Sequence, residues 1–402
     1  MAKKVVLAYS GGLDTSVIIR WLIDRYQCEV IAVAADLGQG EDLSKLKDKG
    51  RATGACDVHI LDLTEEFLNG YCLKALAAEA VYERDYFLAT ALGRPLIARK
   101  MVEIARESGA DAVAHGCTGK GNDQVRFDVS FMALNPDLKI IAPVRDWEFG
   151  SREEEMEYAE LHDIPVEATR EKPYSIDRNI WGISIECGVL EDPWTEPPAD
   201  VYQITRPVER TPDNPLYLEI EFAGGRPVAL DGETLPVIDL VKKLNELGGA
   251  YGIGRSDLVE NRWVGIKSRE IYEAPAAFLL HAAHRALGGL VFDRHTLSFN
   301  RIMSQKYSEL VYNALWFSPL RKALDDYFEN LQQVVTGTVR LKLHKGTATV
   351  AGRKSPCSLY EKSLATYDKE DRFDHKTGEA FGQIWGMAPM IAGIRDRKPF
   401  GK

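Results

Sequence analysis

The sequence predicts an α/β protein: an N-terminal doubly wound parallel sheet, then a larger α+β domain, then a C-terminal helix. Three observations carry that prediction. Apolar, β-rich runs alternate with helical patterns through roughly the first 165 residues, the pattern of a parallel sheet covered on both faces. The alternation then gives way to hairpin signals. The final stretch, Thr377 to Ile394, carries Phe381, Ile384, Trp385 and Met387 at helical spacing.

The strand runs are Val5 to Tyr9, Val30 to Ala35, Val58 to Leu63, Ala112 to His115 and Lys139 to Pro143. Helical patterns separate them, around Val17 to Tyr26, Leu43 to Thr53, Glu65 to Tyr82, Leu96 to Glu107 and Gln124 to Leu134. Ser151 with Glu154 forms a capping box that opens an acidic helix running to His162. From about residue 169 the signals change. Tyr217 to Phe222 and Arg226 to Leu230 flank Gly224-Gly225, and Val339 to Leu343 and Thr347 to Val350 flank Lys345-Gly346; both read as hairpins. Helical patterns follow Pro236, Pro275 and Pro319, each proline suited to a first turn. Pro193 to Pro198 reads as a stiff crossover, and the terminal helix as a docking element for another subunit or for its own domain.

Composition narrows the function. The chain has 402 residues, 45% of them hydrophobic and 27% charged, an ordinary globular balance with room for two domains. Asp and Glu outnumber Lys and Arg by 60 to 50, a net charge of −10. That argues against phosphate-backbone binding as the main task, since nucleic-acid binders concentrate positive charge. Cys28, Cys56, Cys72, Cys117, Cys187 and Cys357 form no C-x-x-C pair and read as reduced thiols. Met1-Ala2-Lys3-Lys4 runs straight into a strand, with no signal-peptide or membrane-spanning pattern, so the cytoplasm is expected.

The loop after the first strand carries the most chemistry. Ser10, Gly11, Gly12, Leu13, Asp14, Thr15 and Ser16 lie between a strand and a helix. Glycines let the backbone approach a phosphate, and the first helical N–H groups point at it. Ser10, Thr15 and Ser16 add hydroxyls, any of them suited to cap the helix. The run is neither a Walker A loop nor a G-x-G-x-x-G fingerprint. In open α/β sheets, ligands lie outside the carboxyl ends of the strands. The loops Asp36 to Gly40 and Gly116 to Asp123 end there too. The segment His115 to Phe127 brings Thr118, Lys120, Asn122, Asp123 and Arg126 to a second helix start, with donors and acceptors suited to a zwitterion: Arg126 for a carboxylate, Asp123 for an ammonium. His115 reads as structural and Cys117 as a space-filler. Two further polar groups, Lys172 to Asn179 with Ser184 and Glu186, and Val259 to Arg262 with Tyr272-Glu273, read from the residues alone as turns between short strands.

Taken in order, Ser10 to Ser16 resembles the pyrophosphate-binding loop, Ser-Gly-Gly-x-Asp-[Ser/Thr]-Ser, of the ATP pyrophosphatases. Together with Ala34-Ala35-Asp36-Leu37-Gly38-Gln39, His115 to Phe127, Val259-Glu260-Asn261-Arg262 and Ile271-Tyr272-Glu273, the chain resembles the argininosuccinate synthetase family over nearly its whole length. The resemblance implies an adenine nucleotide α-hydrolase-like domain over 1–168, an α+β domain binding citrulline and aspartate over 169–362, and a helical tail for oligomerisation over 363–402. It implies ligation of citrulline and aspartate with ATP cleaved to AMP and pyrophosphate, in arginine biosynthesis. By motif, Ala8, Tyr9, Ser10, Gly11, Gly12, Leu13, Asp14, Thr15, Ser16, Ala35 and Gly116 contact ATP. Thr118, Asn122 and Asp123 hold aspartate. Tyr86, Thr90, Asn122, Arg126, Ser175, Ser184, Glu260 and Tyr272 hold citrulline. The family usually reads Leu-Gly-Thr-Ser-Leu-Ala-Arg-Pro after the tyrosine; here Ala91 replaces a hydroxyl residue, and Thr90 or a backbone group substitutes. Mg²⁺ accompanies the nucleotide with no protein metal ligand assigned, no general base is assigned, and a homotetramer with neither nucleic-acid nor membrane partner is expected. Two other readings remain at this point: a pyrophosphatase-loop ligase with a different acceptor, and a nucleotide-binding module without turnover. Paired cysteines with a basic RNA face, or a glutaminase segment, would mark the former; a much shorter chain would mark the latter.

Overall fold

The computed structural model describes residues 2–165 and 174–397. The boundary expected between 168 and 169, and Lys172 and Pro173, lie outside them. Residues up to Cys357 form one compact unit and those from Ser358 a second.

In the first unit, β1 (Lys4–Ala8), β2 (Glu29–Asp36), β3 (Asp57–Asp62), β4 (Ala112–Ala114) and β5 (Lys139–Ile141) form a parallel sheet in the order β3-β2-β1-β4-β5. Strand order reverses between β1 and β4, so the crevice that a doubly wound sheet offers a ligand opens beyond their carboxyl ends. The central strand residues Val5, Val6 and Leu7 are fully buried, as expected for a strand covered on both faces. The helices α1 (Leu13–Tyr26) and α2 (Leu46–Ala52) follow β1 and β2.

Between β3 and β4 the chain departs from the sequence expectation. The single helix expected over Glu65 to Tyr82 is broken into α3 (Thr64–Phe67), a π turn at Leu68–Cys72 and α4 (Leu73–Ala77). The helix expected to start at Leu96 instead starts seven residues earlier, as α5 (Ala89–Ser108), with Pro95 in its interior. Two tertiary contacts permit the early start. The Tyr86 hydroxyl accepts the first-turn amides of Thr90 and Ala91 at 3.1 and 3.2 Å, and the Asn179 amide donates to the Ala89 carbonyl at 2.9 Å. A cap supplied by a phenol is invisible to rules that look for Ser, Thr, Asp or Asn. After β4 come α6 (Asn122–Leu134), the single turn α7 (Pro143–Asp146) and α8 (Arg152–Leu161). The Ser151 hydroxyl caps α8 by accepting the Glu154 amide at 3.3 Å, while the Glu154 carboxylate returns to the Gly150 amide at 2.6 Å rather than to that of Ser151.

Two antiparallel sheets follow. The polar residues Ser175 to Asn179 and Val259 to Asn261 are not turns between strands but lie in strands: β6 (Ser175–Asn179) and β7 (Gly182–Glu186) pair with β11 (Arg255–Asn261) and β12 (Lys267–Glu273) in the order β11-β12-β7-β6. The other sheet contains both hairpins read from the sequence. It joins β8 (Leu216–Ala223), β9 (Arg226–Leu230), β10 (Glu233–Thr234), β13 (Gly337–His344) and β14 (Thr347–Lys354) in the order β10-β9-β8-β13-β14. Helices α9 (Val237–Ala250), α10 (Pro275–Val291), α11 (Arg294–Tyr312) and α12 (Pro319–Gln332) complete the unit. Pro275 and Pro319 occupy first-turn positions, whereas Pro236 is the residue before the helix.

The second unit contains the turn α13 (Lys362–Ala365), then α14 (Lys376–Trp385) and α15 (Met387–Asp396), in place of one continuous terminal helix. Pro389 lacks the N–H that would bond the Trp385 carbonyl, so the helix breaks at Gly386.

Phe131 of α6 is fully buried against Phe127 in the core beneath the parallel sheet. Phe131→Ala is expected to lower unfolding free energy by about 3–5 kcal/mol, read as a shift in the urea midpoint at unchanged slope.

Candidate functional site

The loops at the sheet switch point line one cleft of about 1220 Å³, together with Arg94 of α5 and the strand β6. Gly11 holds φ +78°, and a Cβ there would run into the Leu46 side chain of α2; only glycine fits. Gly116 lies against α1, where a Cβ would stand 3.0 Å from Ile18 and 3.4 Å from Thr15, so the loops after β1 and β4 approach closely. Gly12, in extended conformation, precedes α1 with no side-chain cap. The first-turn amides therefore remain available to an anion.

The hydroxyls do not cap as expected. Ser16 is buried and donates to the Gly12 carbonyl at 2.8 Å, turned away from the cleft. The Ser10 hydroxyl accepts the Gly12 amide at 3.3 Å and bonds Thr15 at 3.1 Å. Those two hydroxyls stay at the mouth. Ala8, Tyr9, Leu13, Asp14, Ala35 and Gly116 line the same cleft. The sequence reading missed Lys49, which reaches from α2 to donate to the Gly11 carbonyl at 2.5 Å and places a cation beside the cradle.

The four-stranded sheet collects the residues of the two polar groups on one face. In antiparallel pairs, opposed residues share a face and the side chains alternate with a period of two. Ser175 opposes Glu186, and Asp177 opposes Ser184, which opposes Tyr272. Tyr272 opposes Ser256, and Glu260 lies two steps of two further along β11. Ser175, Asp177, Ser184, Glu260 and Tyr272 therefore share a face, and Ile183, Ile185 and Ile271 pack into a core behind it.

Above that face lies a buried network. Tyr272 donates to one oxygen of Glu260 at 2.6 Å, and Tyr312, at the end of α11, donates to the other at 2.6 Å. Asn122, the first residue of α6, donates to the Tyr312 hydroxyl at 2.8 Å and accepts the Trp263 amide at 3.0 Å. Tyr86 stacks on Tyr272 with ring centroids 4.2 Å apart. Because the Tyr86 hydroxyl accepts two amides, its own proton is left to donate. Burial raises the pKa of Tyr86 to about 12 and pushes those of Tyr272 and Tyr312 well above the phenol range; all three keep their protons at neutral pH. The Thr90 and Ser184 hydroxyls bond each other at 3.0 Å, and Ala91 beside Thr90 is buried.

Asp123 and Arg126 engage each other, while the buried Arg126 Nε has no hydrogen-bond partner among the described residues. Arg94 donates to one oxygen of Asp123 and Arg126 to the other, each at 2.8 Å. Arg94 also pairs with Asp177. Burial opposes the Asp123 charge, but the two guanidinium groups overcome it and hold the carboxyl below the usual range. Burial, aided by the charge of Asp123, pushes the Asp177 carboxyl up despite Arg94. Two cations and two carboxyls thus form a compact, nearly neutral cluster at the cleft wall. Thr118 is exposed in the loop ahead of α6, outside this cluster. His115 is structural: Nδ1 accepts the Cys117 amide at 3.2 Å and Nε2 faces Asp128 at 2.9 Å. Among the described residues no group of three or more His, Cys, Asp or Glu is placed to hold a metal, and no helix is long and apolar enough to cross a membrane.

An anion cradle at a switch point, facing a polar sheet that carries a tyrosine–carboxylate network, defines an ATP-handling enzyme of the HUP class with an antiparallel-sheet domain appended. Residues 4–165 match the model of the arginosuccinate synthase N-terminal HUP domain, and residues 174–392 match that of the arginosuccinate synthase C-terminal domain. The chain belongs to the argininosuccinate synthase family. The argininosuccinate synthase of Chlorobaculum tepidum is 56% identical over 386 residues, 96% of both chains. Those of Chlorobium luteolum and Chlorobium phaeobacteroides are 54% and 55% identical over 385 residues, again 96% of both chains.

One titration is set by the site. Burial, and then the charge of Asp14, raise the Glu155 carboxyl from 4.5 to about 7. A carboxyl whose folded value is raised contributes stability that is present in full below its unfolded value and is lost as pH rises through the folded one. Glu155→Gln cannot ionise, so it is expected to raise the melting temperature at pH 8 and leave it unchanged at pH 4. Equal shifts at the two pH values would count against this account.

Proposed function

We propose that this chain condenses citrulline with aspartate, cleaving ATP to AMP and pyrophosphate, and that the product feeds arginine synthesis. The observation that supports it most is that the Ser10–Ser16 cradle, Gly116, Arg94 and the β6 edge of the polar sheet open into one cleft. Phosphates and acceptor would meet there. The ureido oxygen of citrulline attacks the α-phosphorus and pyrophosphate leaves. The aspartate amine then attacks the ureido carbon and AMP leaves. A ureido oxygen is a poor leaving group; adenylation converts it into a good one.

In this reading the loop amides of Gly11 to Thr15, with Lys49, hold the departing phosphates, and their fixed dipoles stabilise the charge that develops. Ala8, Tyr9 and Ala35 seat the rest of the nucleotide. Thr118, Asn122 and Asp123 take aspartate. Tyr86, Thr90, Asn122, Arg126, Ser175, Ser184, Glu260 and Tyr272 take citrulline, and the protonated Tyr86 hydroxyl serves as a donor. The neutral charge cluster opens by exchange: a substrate carboxylate replaces a protein carboxyl on Arg94 or Arg126, and the released Asp123 meets an ammonium. Holding three reactants in register supplies roughly 7–11 kcal/mol of barrier reduction in favourable cases. Mg²⁺ fits at the cradle mouth. Asp14 lines the cleft, the Glu155 Oε2 beside its charge is buried without a hydrogen bond among the described residues, and hard oxygen donors suit that ion. It would supply charge neutralisation for the phosphates. We assign residues 1–168 to the nucleotide, 169–362 to the acceptors and 363–402 to assembly of a homotetramer. The exposed Phe381, Ile384, Trp385 and Ile391 of the tail support that last role. A cytoplasmic enzyme without nucleic-acid or membrane partner fits the acidic composition.

Incubation with α-labelled ATP tests the chemistry: AMP and pyrophosphate are expected only when citrulline is present, and ADP with orthophosphate would overturn the reading. Asp123→Asn is expected to raise the Michaelis constant for aspartate at least about tenfold and that for ATP less than about twofold; equal rises would refute the aspartate assignment.

A further inference from the structure

Tyr312 carries no role in any of the motifs, yet it is the junction of the buried network. It ends α11, in the half of the molecule that bears the antiparallel sheets. Its hydroxyl donates to Glu260 at 2.6 Å and accepts from Asn122 at 2.8 Å. Glu260 comes from β11 and Asn122 from the first turn of α6, beside the parallel sheet. One phenol therefore bonds the side chains that face each other across the two halves.

The ring is held as firmly as the hydroxyl. It stacks on Tyr82 with centroids 3.6 Å apart and parallel within 5°, and meets Tyr86 edge-on at 6.3 Å. The Arg126 guanidinium lies 5.2 Å over its face, a cation–π contact. The Tyr312 carbonyl accepts from Arg126 at 3.5 Å. Tyr312 thus touches Tyr86, Asn122, Arg126 and Glu260, and burial keeps its hydroxyl protonated. The direction of the chain of bonds follows from that: the Asn122 amide donates to the phenol, and the phenol donates to the carboxylate.

We infer that Tyr312 is a positioning residue for the ureido amino acid, its hydroxyl fixing the Asn122 amide and the Glu260 carboxylate in the relative placement that this substrate needs. The inference rests on the proposed function, in which Asn122 and Glu260 hold citrulline. With the hydroxyl removed, the Asn122 amide loses its best acceptor and one Glu260 oxygen loses its nearest donor, leaving only the longer 3.5 Å bond from Asn122 to Glu260 between them. Both groups then rotate or recruit water. The nucleotide cradle, built on β1 and α1, makes none of these bonds.

Tyr312→Phe keeps the stacking and the cation–π face and removes only the oxygen. The measurement is citrulline-dependent exchange of labelled pyrophosphate into ATP without aspartate, which isolates the first half-reaction. The variant is expected to raise the Michaelis constant for citrulline about tenfold, the loss of one charge-assisted hydrogen bond. The constant for ATP should stay within about twofold and the maximal rate within about threefold. Tyr82→Phe, which keeps the same stack, is the control and should leave the citrulline constant unchanged. An unchanged citrulline constant in Tyr312→Phe overturns the inference. So does an equal rise in both constants accompanied by a lower melting temperature, which marks a structural role alone. Wild-type protein that shows no citrulline-dependent exchange overturns the proposed function itself, and this inference with it.

Discussion

A single helix belongs to two cores, and the site depends on it. The first half of α5 contributes Ala89, Ala91, Leu92 and Leu96 to the large core around the β8–β13 sheet. Its second half contributes Ala98, Met101, Ile104 and Ala105 to the core under the parallel sheet. Interiors pack at crystal-like density and transmit small displacements. The nucleotide cradle and the polar sheet are therefore held at a fixed spacing by one rigid rod. Thr90 and Arg94 sit on that rod and face Ser184, Asp123 and Asp177. Few other arrangements would place a phosphate cradle and an amino-acid pocket in register without a large interface of their own.

The electrostatics follow from that enclosure. Arg126 is buried, Arg94, Asp123 and Asp177 are half-buried, and each carboxyl is matched by a guanidinium. Such clusters add little net stability, because desolvation offsets most of the Coulomb gain, but removing one member leaves an uncompensated charge. Their value here is that the pairs are exchangeable. A zwitterionic substrate brings one charge of each sign and can enter without stranding a partner.

Some of this was legible in the sequence and some was not, for reasons that can be named. The parallel strands, the two glycine-turn hairpins and the Ser10–Ser16 loop were readable because each is specified within a few residues. The early start of α5 was not, since its cap is the hydroxyl of Tyr86 and its interior holds a proline. The polar segments around Ser175 and Glu260 looked like turns because β6 and β11 are short and carry polar residues on both faces, without the apolar density that strand rules need. Ser16 sits in the motif but faces inward, which no pattern of residue types reveals. Tyr312 and Lys49 could not be found at all: Tyr312 is 190 residues from its partner Asn122, and only the folded chain brings them together.

The thiol of Cys117 lies on the wall of the cleft, one residue beyond Gly116. Burial, reinforced by the Asp123 charge, raises it to about 12. Thiolates, not thiols, react with electrophiles and peroxides. A sulfur on the cleft wall is thereby kept almost wholly in its protonated form, the less nucleophilic one, close to where the reaction runs.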